Sequence, residues 1–217
     1  EIRTPLNTIV GMNEIIMRET HEEQTMKCAK DIQSSSDILV NLVRDVLDFS
    51  KIESGRMEIV NEEYHFNQLL SNVLSVMESR ARQKNLELDA EVQEILYNDL
   101  KGDAARICRI LINLIGNAVK YTKKGSIRVT VHMEDQSADP HKVELVMAVR
   151  DTGIGIKEED QERLFKDFER LDLSNNRSIE GTGLGLAITY HLVEMMGGSI
   201  TCHSKYGHGT TFVVKIS

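Results

Sequence analysis

The sequence predicts an α+β chain: an antiparallel helical hairpin followed by an α/β sandwich with a mixed sheet and helices on one face. Three observations lead there. The first quarter carries apolar residues at helical spacing and no strand-like run. The remainder alternates helical with β-rich segments, the order expected of layered helices and sheet. Glycines then cluster at Gly153/Gly155 and at Gly181/Gly183/Gly185, where the chain must turn tightly or approach a ligand closely.

The hairpin is expected over residues 1–57. Ile2, Leu6, Ile9 and Ile16 form a seam on a first helix, and Thr20-His21 with the following acidic pair reads as the turn. Ile32, Ser35, Leu39, Leu42, Val46 and Phe49 follow in steps of three and four, a heptad seam rather than a period-two strand. Two such stripes cannot both be buried within one hairpin, so a second copy is expected to complete a four-helix bundle. Ser54-Gly55 ends the second helix, glycine suiting the left-handed position past a C-terminus. Residues 56–65 read as a connector.

The second domain is expected over 62–217. Phe66–Lys84 is amphipathic, Leu86–Val92 alternates like a strand, and Asp103–Tyr121 is a helix with Asp103 as its N-cap. Ser126–Glu134 and Val143–Arg150 read as strands joined by a polar turn with Asp139-Pro140. Leu184–Met196 is a helix ended by Gly197-Gly198, and Ser199–Ser204 and Thr210–Ile216 close the sheet through a Gly207/Gly209 turn.

A net charge of −8 argues against a nucleic-acid partner, since phosphate backbones need clustered Lys and Arg. No apolar run reaches the length of a membrane span, and no signal peptide is evident. The cysteines, Cys28, Cys108 and Cys202, lack metal-ligand spacing and read as reduced thiols.

The chemistry concentrates in the second domain. Asn113, Asn117 and Lys120 share a helical face. An amide oxygen is a hard ligand suited to Mg²⁺, and an ammonium offsets phosphate charge. Two asparagines interrupting an otherwise apolar helix need partners, which a ligand shell supplies. Asp151 opens Asp151-Thr152-Gly153-Ile154-Gly155 after a strand, and its carboxylate can accept from the exocyclic amine of adenine. It would face the guanine carbonyl unfavourably, so ATP is expected over GTP. Gly181-Thr182-Gly183-Leu184-Gly185 precedes a helix whose N–H groups can meet phosphate. The spacing fits neither a P-loop nor a dinucleotide fingerprint. Between these boxes, 157–180 is polar and holds Phe165, Phe168, Arg170 and Arg177, composition suited to a lid over a triphosphate. Phe165 and Phe168 read as apolar anchors of a short amphipathic helix.

Asn113-Leu114-Ile115-Gly116-Asn117-Ala118, the Asp151 box, the two phenylalanines and the Gly181–Gly185 box, in that order, resemble the Bergerat-type ATPase fold. Histidine kinases, Hsp90-like chaperones, type II topoisomerases and MutL-like repair proteins share it. By that resemblance Asn117 holds Mg²⁺, and Asn113, Lys120 and Tyr121 line the nucleotide site. Asp151 reads adenine, with Thr210 completing its water-linked contacts. Gly153, Gly155, Arg177, Gly181, Thr182, Gly183, Leu184 and Gly185 complete the ATP-binding set, and Arg170 resembles the arginine that approaches the γ-phosphate.

The hydrolysing branches carry a glutamate at the position of Asn113, and an amide cannot take a proton from water. Glu1-Ile2-Arg3-Thr4-Pro5-Leu6-Asn7 resembles the histidine box of bacterial sensor histidine kinases, in which the acceptor histidine would stand just before Glu1. Glu1 would then polarise the imidazole, and Thr4 would serve removal of phosphate from the partner. The resemblance implies an ATP-dependent protein-histidine kinase of a two-component system. Its γ-phosphate would pass to the histidine and then to an aspartate of a response-regulator receiver domain, with phosphatase activity toward that regulator. It implies a homodimer through a hairpin truncated at its N-terminus. The chain as written is not expected to autophosphorylate. A cytoplasmic position is implied, with membrane attachment only through a region preceding this sequence. The rival expectation is an ATP-hydrolysing conformational switch, against which Asn113 and the histidine box argue.

Overall fold

The computed structural model describes residues 3–93, 97–135, 142–161, 163–165 and 183–217. The chain divides into two compact units, Glu1–Met57 and Glu58–Ser217.

The first unit is a hairpin of α1 (Arg3–Glu19) and α2 (Glu23–Glu53). The Thr20 hydroxyl accepts the Glu22 N–H at 3.3 Å in the turn, and the Thr25 hydroxyl donates to Glu22 at 2.7 Å. α2 stops at Ser54–Gly55. Gly55 has φ +65°, its N–H meets the Ile52 carbonyl at 3.0 Å, and the Arg56 N–H meets Lys51 at 2.9 Å. This paired closure satisfies carbonyls that the helix end would otherwise orphan. Leu6, Asn13, Ala29, Ser36 and Phe49 are buried, whereas Ile9, Ile16, Ile32, Leu39, Leu42 and Val46 stay exposed. Most of the predicted seam therefore points away from the hairpin's own interior. Asn13 is the polar exception inside: its amide donates to the Ala29 carbonyl at 2.8 Å and to Gln33 at 3.2 Å.

The second unit runs β1 (Glu62–His65), α3 (Phe66–Gln83), β2 (Glu87–Val92), β3 (Asp99–Gly102), α4 (Ala104–Tyr121), β4 (Ser126–Asp135), β5 (Val143–Asp151), α5 (Glu158–Gln161), α6 (Gly185–Met195), β6 (Ser199–Lys205) and β7 (Gly209–Ile216). The main sheet has the order β2-β4-β5-β7-β6. β2 pairs with β4 in parallel and the other neighbours are antiparallel, so the sheet is mixed. Ile127, Val129, Val131 and Met133 of β4, Leu145, Met147 and Val149 of β5, and Phe212, Val214 and Ile216 of β7 are all buried. These period-two sets form one face, which α3, α4 and α6 cover. α4 buries Ile107, Ile110, Leu111, Leu114, Ile115, Ala118 and Val119. Each large side chain so buried contributes about 1.5–3 kcal/mol.

Two differences from the sequence reading stand out. The expected connector, 56–65, ends in a strand: β1 pairs antiparallel with β3, another four-residue strand absent from the sequence reading. Glu62-Glu63-Tyr64-His65 has no apolar alternation, so only the distant partner reveals it. The helix expected to carry Phe165 covers only Glu158–Gln161, and Phe165 lies in the turn beyond it. Its ring is 5.5 Å from Tyr190 and 6.5 Å from Phe212, so it anchors as expected but outside a helix. The Asp139-Pro140 turn and Phe168 lie outside the described residues. Among the described residues no helix is long and apolar enough to cross a membrane.

Candidate nucleotide-binding site

α4 is the spine of the site. Asp103 accepts the Arg106 N–H at 3.0 Å with its side chain and starts the helix. At the other end the Lys84 ammonium meets the Val119 and Lys120 carbonyls at 3.1 and 3.3 Å, a cation where the helix dipole is negative. Asn113 faces α6: its amide donates to the Thr189 hydroxyl at 2.7 Å. A Cβ on Gly185 would come within 2.5 Å of the Asn113 Oδ1, so glycine is what lets α6 start against α4. One turn on, the Asn117 amide makes no hydrogen bond among the described residues. The Lys120 ammonium lies 4.8 Å from the Tyr121 ring centre.

The C-terminal end of α4 meets the Asp151 box. The Tyr121 carbonyl accepts the Ile154 N–H at 3.3 Å. A Cβ on Gly153 would sit 2.6 Å from the Tyr121 carbonyl and 2.8 Å from Asp151 Oδ1. Gly155, at φ +66°, lies so close to the Lys205 carbonyl that a side chain there would overlap it. Thr122, beside Gly153, is buried with a hydroxyl that has no partner among the described residues.

Asp151 ends β5 and is 7% exposed. Its carboxylate accepts from the Gly153 N–H at 2.8 Å and from the backbone N–H of Thr210, its register partner on β7. Burial pushes this carboxyl above its ordinary value, and the two N–H donors oppose the rise. The Cys202 thiol is pushed up to about 12, mainly by burial and further by the Asp151 charge, so it is no nucleophile at neutral pH.

A polar clamp fixes the loop after Asp151. Ile156 N–H donates to Ser204 Oγ at 2.8 Å, and Ser204 Oγ lies 2.9 Å from Thr210 Oγ1. Gln161 donates to the Ile156 carbonyl at 3.1 Å and the Ser204 carbonyl at 3.0 Å.

From Asn113 to Tyr121 α4 climbs about 12 Å at 1.5 Å per residue, a nucleotide's reach from base to phosphates. At one end is the buried carboxylate. At the other is the start of α6, whose first N–H groups have no intrahelical acceptor. Gly183, at φ +76°, and the buried Leu184 lead into that start.

The structure thus brings together Asn113 with Gly185, Tyr121 with Gly153, and Asp151 with Gly153 and Thr210. It places Asn117 and Lys120 on the helix between these two ends. Thr4 lies in the first unit, where its carbonyl accepts from the Thr8 hydroxyl at 3.1 Å. Glu1, Arg170, Arg177, Gly181 and Thr182 lie outside the described residues. Sequence reasoning missed Thr189, Ser204, Gln161 and Lys84. Only a paired strand or a facing helix gives them a role.

Residues 102–217 match the family model described as histidine kinase-, DNA gyrase B-, and HSP90-like ATPase. The chain belongs to that family. Residues 1–55 match the His Kinase A (phospho-acceptor) domain, so the two matches together are those of a sensor histidine kinase core. The chain is 38% identical over 98% of its length to the hybrid signal transduction histidine kinase L of Dictyostelium discoideum, and 37% identical over 98% to the signal transduction histidine-protein kinase BarA of Escherichia coli. It spans 12% and 23% of those two relatives. Among solved structures, full-length ShkA in complex with AMPPNP superposes with a TM-score of 0.78 at 30% identity, covering 99% of this chain and 43% of that one. The Acinetobacter baumannii histidine kinase AdeS gives 0.66 at 25% identity, covering 100% of this chain and 96% of that one.

Proposed function

We propose that this chain is the dimerising and catalytic core of an ATP-dependent protein-histidine kinase in two-component signalling. In this reading residues 1–57 pair with a second copy and 62–217 bind ATP. The γ-phosphate goes to the histidine preceding Glu1 and then to an aspartate on a response-regulator receiver domain. Thr4 serves the reverse task of removing that phosphate.

The observation that carries the reading is the α4 spine, with a buried carboxylate at one end and a glycine-led helix start at the other. Asp151 accepts from the exocyclic amine of adenine, supported by Thr210, while Gly153 and Gly155 let the loop after Asp151 pack against the Tyr121 and Lys205 carbonyls. Tyr121 and Lys120 flank the base and sugar. At the far end Gly183, Leu184 and Gly185 lead into α6 and present backbone N–H groups to the phosphates, and the resemblance adds Gly181 and Thr182 to that set. By the same resemblance Arg170 and Arg177 supply cationic charge to the phosphates.

The Asn117 amide, uncommitted to any described partner and on the helix between base and phosphate ends, fits a Mg²⁺ ligand. The ion would bridge phosphate oxygens and neutralise charge. Asn113 fits this role less well, because its amide nitrogen already donates to Thr189 and α6 starts close against its oxygen. Neither asparagine can deprotonate water, which supports transfer to a side chain over hydrolysis.

Titration of the chain with Mg-ATP and Mg-GTP by calorimetry tests the base assignment. ATP is expected to bind far more tightly. Equal affinity for GTP would remove Asp151 from its reading of adenine.

A further inference from the structure

Resting on the adenine reading above, the structure assigns a positioning role to a residue outside every motif: we propose that Ser204 locks the Thr210 hydroxyl as an acceptor and so makes the base pocket demand a hydrogen-bond donor.

The argument is one of counting protons. Ser204 Oγ has three neighbours: the Ile156 N–H at 2.8 Å, the Gly209 carbonyl at 3.0 Å and Thr210 Oγ1 at 2.9 Å. A serine hydroxyl has one proton and two lone pairs. The Ile156 N–H can only donate, so it takes one lone pair. The Gly209 carbonyl can only accept, so it takes the proton. One lone pair is left, and it faces Thr210. The Thr210 proton therefore points at Ser204, and its remaining lone pairs are all that Thr210 has for anything else.

Thr210 is buried and stands opposite Asp151 in the β5–β7 register. The carboxylate already accepts from two backbone N–H groups and offers only lone pairs. The wall of the pocket is thus acceptor-only on both side chains. Facing the 6-position of the base, these two side chains accept and cannot donate. The amine of adenine satisfies it. The carbonyl oxygen at the same position of hypoxanthine or guanine does not. Freed from Ser204, the Thr210 hydroxyl could rotate and donate, and that refusal would weaken.

The test uses ATP and ITP, which differ in the base only by exchange of the amine for a carbonyl and the accompanying N1 proton. Dissociation constants are measured by calorimetry for the chain and for three single substitutions. Ser204→Ala is expected to lower the ITP-to-ATP ratio of dissociation constants about fivefold to tenfold, the worth of one hydrogen bond. Ser204→Thr, which restores the hydroxyl, is expected to recover the original ratio. Gln161→Leu loosens the same loop while keeping both hydroxyls, and is expected to shift the ratio far less than Ser204→Ala. The proposal is overturned if Ser204→Ala weakens both nucleotides alike, if Ser204→Thr fails to restore the ratio, or if Gln161→Leu shifts it equally. Failure of the unsubstituted chain to bind ATP would instead overturn the adenine reading itself.

Discussion

α2 and α4 carry the same kind of periodic apolar sequence, yet the fold treats them oppositely. α4 buries seven apolar residues against α3, α6 and the sheet. α2, with 31 residues to the 18 of α4, buries only Ala29, Ser36 and Phe49, and leaves Leu39 and Val46 each 47% exposed. A period fixes which side of a helix is apolar and leaves open what covers it. In the sandwich the cover comes from the same chain. In the hairpin it has to come from elsewhere, and a second copy of the same stripe is the simplest complement. The second unit completes its own core, whereas the first leaves an apolar stripe exposed, as the proposed pairing with a second copy requires.

The contrast is broken most directly by charging the exposed seam. Leu42→Glu removes about 2 kcal/mol of apolar burial per protomer, doubled by two-fold symmetry. Sedimentation equilibrium should show a dimer dissociation constant on the order of a thousandfold larger, with ATP affinity unchanged. A chain already monomeric at high concentration would show that the stripe is covered by something else.

Asp151→Asn should act only on the second unit. Loss of a charged acceptor for the base is expected to weaken ATP binding by on the order of a hundredfold. The unliganded protein should be no less stable. Burial raises this carboxyl above 3.8, so the folded chain holds the proton to higher pH than the unfolded chain does. Its contribution is present at acid pH and is lost as pH rises through the raised value. At neutral pH the variant is therefore expected to melt at the same or a higher temperature, and that advantage should vanish below pH 3.8. A lower melting temperature at neutral pH would show that the carboxylate stabilises the fold.

Gly185→Ala probes the contact of α6 with α4. The new Cβ meets Asn113 Oδ1 at 2.5 Å, and Thr189 restrains that amide. A cost of about 1–3 kcal/mol is expected in denaturant unfolding, smaller in a background of Asn113→Ala. Equal costs in both backgrounds would remove Asn113 as the obstacle.

The smallest effect concerns the thiols. Cys28 is exposed in the hairpin, whereas burial raises Cys108, and burial together with the Asp151 charge raises Cys202. Alkylation at neutral pH, read by peptide mass, should modify Cys28 first and Cys202 last.

What was legible in the sequence was local. The Asp103 cap, the Ser54-Gly55 stop and the α4 stripe each follow from a few neighbouring residues, and the structure forms all three. The paired strands β1 and β3 were not legible, since each is four residues long and finds its partner across more than thirty positions. The same limit hid the hydroxyl chain through Ser204, which depends on β6 lying beside β7. It also hid the role of Thr189, which lies far from Asn113 in sequence and meets it only because α6 packs on α4. Asp151 and the glycines stood out because their residue types are costly anywhere else.

The central claim is transfer of the γ-phosphate to a histidine, and labelling tests it most directly. The 217-residue chain and a version extended at its N-terminus by the proposed histidine-bearing helical turn are incubated with γ-labelled ATP and Mg²⁺. The account predicts acid-labile, base-stable label on the extended version, none on the 217-residue chain, and little free phosphate from either. Rapid phosphate release from both, with no labelled protein, would contradict it and move the chain to the hydrolysing branch of its family.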